Sequence, residues 1–109
     1  MKELLIDAME KFNERAKTDE KLRKELEGIT RRIQVDVKDG EDYHFTLRDL
    51  RVSELQEGKI DSPDVTITAT NDTLTALLTK EMGPMKAIAT RKLKIKASLE
   101  DMLRLRKFF

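Results

Sequence analysis

The apolar residues of this chain keep a helical period as far as Leu26 and switch to a two-residue period from Ile29. That change restricts the fold to one in which opening helices are followed by a sheet that they can cover. Before the switch, Leu4, Leu5, Ala8, Met9, Phe12 and Ala16 form one stripe over residues 3–17. Thr18 and Asp19 then offer an N-cap to a second, short helix carrying Leu22 and Leu26, which Gly28 can end. After the switch, Ile33, Val35 and Val37 alternate with Arg32, Gln34 and Asp36, and Tyr43, Phe45 and Leu47 alternate with His44, Thr46 and Arg48. Asp39-Gly40 between these runs predicts a tight hairpin.

Downstream, a less regular strand is expected from Leu50 to about Glu57, with a bulge or end where Leu55 breaks the parity of Leu50 and Val52. Gly58 and Ser62-Pro63 mark a loop before a fourth strand with Val65, Ile67 and Ala69 on one face. Asn71 or Asp72 is placed to cap a helix bearing Leu74, Leu77 and Leu78, and Gly83-Pro84 starts another with Met85, Ile88 and Ala89. Leu93 and Ile95, between Lys92, Lys94 and Lys96, predict a fifth strand. Ser98 with Asp101 has capping-box spacing and opens a terminal helix over residues 99–109. The expected fold is α+β: one domain over residues 1–109, with a five-stranded, mostly antiparallel sheet and helices covering one face. Any cavity would lie between those layers.

Charge excludes several functions. The chain has 22 Lys and Arg against 21 Asp and Glu, a formal net charge of +1, so no large phosphate-reading surface and no nucleic-acid partner is expected. It has no Cys and a single His, His44, which shares the polar parity of Thr46 and Arg48. Thiolate chemistry and the common zinc sites are therefore excluded, and no cofactor or metal is expected. Acid pairs such as Glu41-Asp42 and Glu100-Asp101 fall at turns and helix starts, where they read as caps and solvated charges. No secretory leader and no bilayer-length apolar run is present, so a cytoplasmic location is expected.

In its ordered features the segment from Ser62 to Phe109 resembles the sterol-carrier-protein type-two family. Those features are Ser62-Pro63-Asp64-Val65-Thr66-Ile67, the helix with Leu74, Leu77 and Leu78, then Met85-Lys86-Ala87, the strand Lys92-Leu93-Lys94-Ile95-Lys96, and a closing Leu-rich helix. The upstream hairpin fits the same family, so the likeness covers nearly the whole chain. Ala97-Ser98 stands where the family commonly has Gly followed by Asp or Asn. The resemblance implies a hydrophobic tunnel between sheet and helices that takes fatty acids, acyl-coenzyme A, isoprenoids or sterols, in a carrier or accessory protein that is not an enzyme. It also implies a crossover from the fourth strand to the fifth, right-handed if those two are parallel.

Candidate lining residues on the apolar stripes are Leu77, Leu78, Met82, Met85, Ile88, Met102, Leu105, Phe108 and Phe109. Each also suits ordinary core packing, and Met suits a variable apolar guest. The terminal helix carries a wide apolar arc through Leu105, Phe109, Met102, Leu99 and Leu103, with Phe108 outside it. That arc leaves open a second reading, a protein-interaction or dimerisation module, and either monomer or homodimer. Arg91, Lys92, Lys94, Lys96, Arg104, Arg106 and Lys107 are the one concentrated basic region, either a solvated face or an attractor of anionic membrane headgroups or an acyl-coenzyme A phosphate.

Overall fold

The computed structural model describes the backbone of residues 1–106 and the side chains of residues 1–104. The chain opens with α1 (Lys2–Thr18) and α2 (Glu20–Leu26), followed by β1 (Arg31–Val37), β2 (Tyr43–Arg48), β3 (Arg51–Val52), β4 (Gln56–Glu57) and β5 (Val65–Ala69). It continues through α3 (Asn71–Leu78), α4 (Pro84–Ala89), β6 (Lys94–Lys96) and α5 (Leu99–Arg106). The strands form one sheet in the order β3-β2-β1-β5-β6, with β4 also pairing β2.

The helices begin where local chemistry satisfies their free N–H groups. Asp19 caps α2 by accepting from the Leu22 N–H at 3.1 Å, and Arg15 Nε donates to the same carboxylate at 2.9 Å. Those two bonds, the backbone one first, hold the Asp19 carboxyl below the ordinary range. Thr70, rather than Asn71 or Asp72, caps α3: its Oγ1 accepts from the Thr73 N–H at 3.2 Å. Asn71 is instead the first helical residue, and its N–H donates to Asp39 Oδ1 at 2.8 Å.

That bond explains Gly40. A Cβ there would lie 2.9 Å from Asn71 Nδ2 and 3.1 Å from Val37 Cγ1, so a side chain would require the Asn71 amide or the Val37 methyl to give way. The connection is not the tight hairpin expected at Asp39-Gly40, because the last ladder pair is Val35 with Tyr43. A two-residue hairpin occurs one strand later. Asp49 and Leu50, at φ 51° and 66°, turn β2 into β3 between the paired residues Arg48 and Arg51. Leu50 therefore starts no strand, and the expected single strand from Leu50 to about Glu57 is two short ones, each pairing with β2. This makes six strands among the described residues instead of five.

Mostly antiparallel pairing holds, with one exception at the centre: β1 and β5 run parallel, Ile33 beside Val65 and Val37 beside Ala69. The strands on either side of the α3–α4 connection, β5 and β6, are antiparallel, so the handedness rule for parallel crossovers does not apply to them. On one face of the sheet lie Ile33, Val35 and Val37, Tyr43, Phe45 and Leu47, and Val65, Ile67 and Ala69, and the helices pack against that face. Asn13 fixes α1 over the sheet edge. Its amide accepts from the Val52 N–H at 2.8 Å and donates to the Val52 carbonyl at 3.1 Å, which occupies backbone groups of β3 that would otherwise be open.

Candidate binding cavity and its charged end

Among the described residues, the buried apolar core falls into two clusters rather than one. Leu5, Val35, Val37, Tyr43, Ala69, Leu74, Ala87 and Leu93 form the first, and Ala16, Leu22, Leu26, Leu47 and Val52 the second. Between them is a partly open cavity of about 450 Å³, walled by members of both. Its floor is the sheet face, with Ile33, Val35, Phe45, Leu47, Val65, Ile67 and Ile95. α1 covers it with Leu5, Ala8, Met9 and Phe12, and α3 closes one side with Leu74, Leu77 and Leu78. The volume lies within the roughly 300–1,000 Å³ range of small-molecule sites.

Of the residues expected to line a site, Leu77 and Leu78 face this cavity. Met82 and Ile88 pack against the first core cluster without reaching the cavity wall. Met85 is 54% exposed: Ala87, two positions on, is fully buried, and two helical steps place the pair about 200° apart, on opposite sides of α4. Met102 is half-buried and is not among the lining residues. The Leu105 side chain, Phe108 and Phe109 lie outside the described residues. The opening helix, by contrast, supplies a large part of the wall. Its stripe of Leu5, Ala8, Met9 and Phe12 was legible as an apolar face, but nothing local distinguishes a face over a cavity from one over a filled core.

Among the described residues, the apolar arc of the terminal helix faces largely outward. Leu99 and Leu103 are 76% and 50% exposed, while Asp101 between them is 6% exposed. Ser98 does cap α5, its Oγ accepting from the Asp101 N–H at 3.1 Å, but the Asp101 carboxylate does not return to close a capping box. Nor is it a solvated charge. It points inward and takes Arg31 Nε on both oxygens, at 3.0 and 2.9 Å, and Arg104 Nη1 on Oδ1 at 2.8 Å. The bond to Asp101 raises the Arg31 guanidinium above its already high ordinary value. Facing Asp101 inward turns residues two positions either side, Leu99 and Leu103, outward.

Arg31, Asp101 and Arg104 line the cavity, and every other lining residue among those described is apolar. A signal for this cluster exists in the sequence: Arg31 shares the parity of Ile33, Val35 and Val37, and a cation on the inward parity of a strand requires a buried partner. His44 belongs to the outer face, where Nδ1–H donates to the Gly58 carbonyl at 2.9 Å. No group of His, Asp and Glu among the described residues is arranged to hold a metal, and no described helix is long and apolar enough to cross a membrane.

A sequence profile described as the SCP-2 sterol transfer family matches residues 9–109. No curated protein matches the sequence at a comparable level. Among solved structures, the sterol carrier protein domain 2 of Helicoverpa armigera is similar with a TM-score of 0.65 at 18% identity, over 96% of this chain and 84% of that one. A sterol carrier protein 2-like protein from Aedes aegypti gives a TM-score of 0.62 at 17% identity, over 97% and 96% of the two chains. A stereoselective inverting sec-alkylsulfatase from Pseudomonas sp. contains a similar unit, with a TM-score of 0.60 at 21% identity. There the likeness covers 78% of this chain and only 13% of the enzyme. At these identities the likenesses show the fold.

Proposed function

Because the chain belongs to the SCP-2 sterol transfer family, we propose that it holds one lipid-like molecule in the cavity between sheet and helices and acts as a carrier or accessory protein without catalysing a reaction. The observation that carries this reading is the division of the apolar core by a cavity of about 450 Å³ whose described walls are hydrocarbon except at Arg31, Asp101 and Arg104. Left dry, a void of that volume would cost on the order of 11 kcal/mol, which is comparable to the roughly 5–15 kcal/mol that stabilises a whole domain. A guest that fills it removes that penalty. An acyl chain of about 14 methylenes gains roughly 11 kcal/mol gross on burial, less the cost of ordering and association, which places affinity near the micromolar range.

The reading makes stability depend on the guest. A ligand present at about 100 times its Kd stabilises the folded state by about 2.7 kcal/mol, equivalent to a rise of roughly 10 °C in Tm for a chain of this size. Differential scanning calorimetry with palmitate added below its micelle concentration should show that rise, and a Tm unmoved by fatty acid, fatty alcohol and sterol alike would contradict it. Leu74, Leu77 and Leu78 are the residues of α3 that we assign to the lining, joined by Phe12, Phe45 and Ile67.

A further inference from the structure

Resting on the lipid-binding reading, we propose that Arg31 and Arg104, held in place by Asp101, form the head-recognising end of the cavity and select an amphiphile whose polar end carries a single negative charge, a carboxylate, over a neutral one.

Three observations carry this. The first is position. The cluster is the only charged part of the lining among the described residues, so a chain lying along the apolar walls has one place at which a polar end meets protein polar groups. The three residues come from the start of β1 and from successive turns of α5, and the side chains of Arg31, Asp101 and Arg104 are 24%, 8% and 17% exposed. They are more buried than the other ion pairs, such as Lys2 with Glu57 at 50% and 59%.

The second is charge. A latch between α5 and the sheet needs one cation for the one buried carboxylate, and Arg31 with Asp101 supplies it. Arg104 is a second guanidinium on the same carboxylate, so the cluster carries one surplus positive charge beside a hydrocarbon wall. An uncompensated charge there is unfavourable, and a monoanion relieves it. Glu100 reaches Arg104 Nη2 at 3.0 Å, but its side chain is 70% exposed and water weakens its hold. Asp64, the other acid near Arg31, is exposed and engaged with the Arg32 N–H at 2.8 Å.

The third is unused donors. Each guanidinium has five N–H groups in a planar fork that fits a carboxylate. Arg31 spends Nε on Asp101 and Nη1 on the Thr30 carbonyl, and Arg104 spends Nη1 and Nη2 on Asp101 and Glu100. Among the described residues, Nη2 of Arg31 and Nε of Arg104 donate to nothing.

Palmitate and hexadecanol share a tail and differ at the head, so titration calorimetry of both against wild-type protein and Arg104→Gln separates the head from the cavity. Arg31 stays paired with Asp101 in that variant, which keeps α5 latched. We expect wild type to bind palmitate about tenfold or more tightly than hexadecanol, the size of one hydrogen-bonded charge contact. In Arg104→Gln the ratio should fall towards one. Equal binding of the two by wild type, or a preference that survives the substitution, would overturn the head-recognition proposal and leave the lipid cavity standing. Binding of neither ligand would remove both. A second readout uses wild type alone: bound palmitate carrying carbon-13 at its carboxyl should titrate below the ordinary carboxylate range near 4. A bound carboxyl titrating at or above that range would place the head away from the arginines and overturn the proposal.

Discussion

Asp101→Ala should destabilise the protein by about 3 kcal/mol, the lower end of the range for removing one partner of a buried ion pair. The loss is not that of a hydrogen bond alone. With the carboxylate gone, the guanidiniums of Arg31 and Arg104, 24% and 17% exposed, face each other with nothing between them in a largely apolar setting. Each must then either drag water inward or swing outward, and swinging outward pulls α5 from the sheet. Asp101→Asn keeps the shape and one acceptor, so its cost should fall between those of wild type and Asp101→Ala. Urea unfolding at neutral pH measures both. A loss below about 1 kcal/mol for Asp101→Ala would match an exposed ion pair instead and would contradict the buried latch.

The second large effect concerns binding. Leu78→Glu should weaken fatty-acid uptake by roughly two orders of magnitude, because an unpaired carboxyl in the α3 wall must stay hydrated or be neutralised at a cost of several kcal/mol. Met102→Glu should leave uptake close to that of wild type. Both residues sit on apolar stripes and either could line a tunnel, but only Leu78 borders the cavity. Fluorescent fatty-acid displacement on the two variants, each checked for native circular dichroism, decides the matter. Loss of uptake in Met102→Glu with retention in Leu78→Glu would put the guest on the wrong side of α3 for the cavity described.

The pair also shows what could be read in advance. Strand faces were legible because a two-residue period admits only two orientations, so Ile33, Val35 and Val37 had to share a side. The caps at Asp19 and Ser98 were equally local. Depth was not legible. Leu77 and Met82 look alike as apolar residues in the sequence, and which of them meets the cavity depends on α3 ending at Leu78 and on how it and the following bend pack on strands far away in sequence. Hairpin geometry escapes the sequence for a related reason. Gly40 serves a close approach to Asn71, a tertiary demand, while Asp49-Leu50 adopts left-handed angles without a glycine to announce it.

The terminal helix is the sharpest case. Its hydrophobic arc through Leu99, Met102 and Leu103 left open both a lining role and an interaction face, and hydrophobicity alone would favour burying it. The ion cluster opposes it: Asp101 must face Arg31, and a helix cannot bury residue 101 and residues 99 and 103 on one side. The clue was Arg31 on the inward parity of β1, whose charge required a carboxylate at the sheet face.

A carrier with a cavity of this size should hold a guest on purification. Native mass spectrometry of protein prepared without detergent, set beside its denatured mass and an organic extract, tests that most directly. A stoichiometric passenger with a long apolar chain, released on denaturation, is the predicted result. A mass equal to the polypeptide alone, unchanged after incubation with fatty acids, fatty alcohols and sterols, would contradict it.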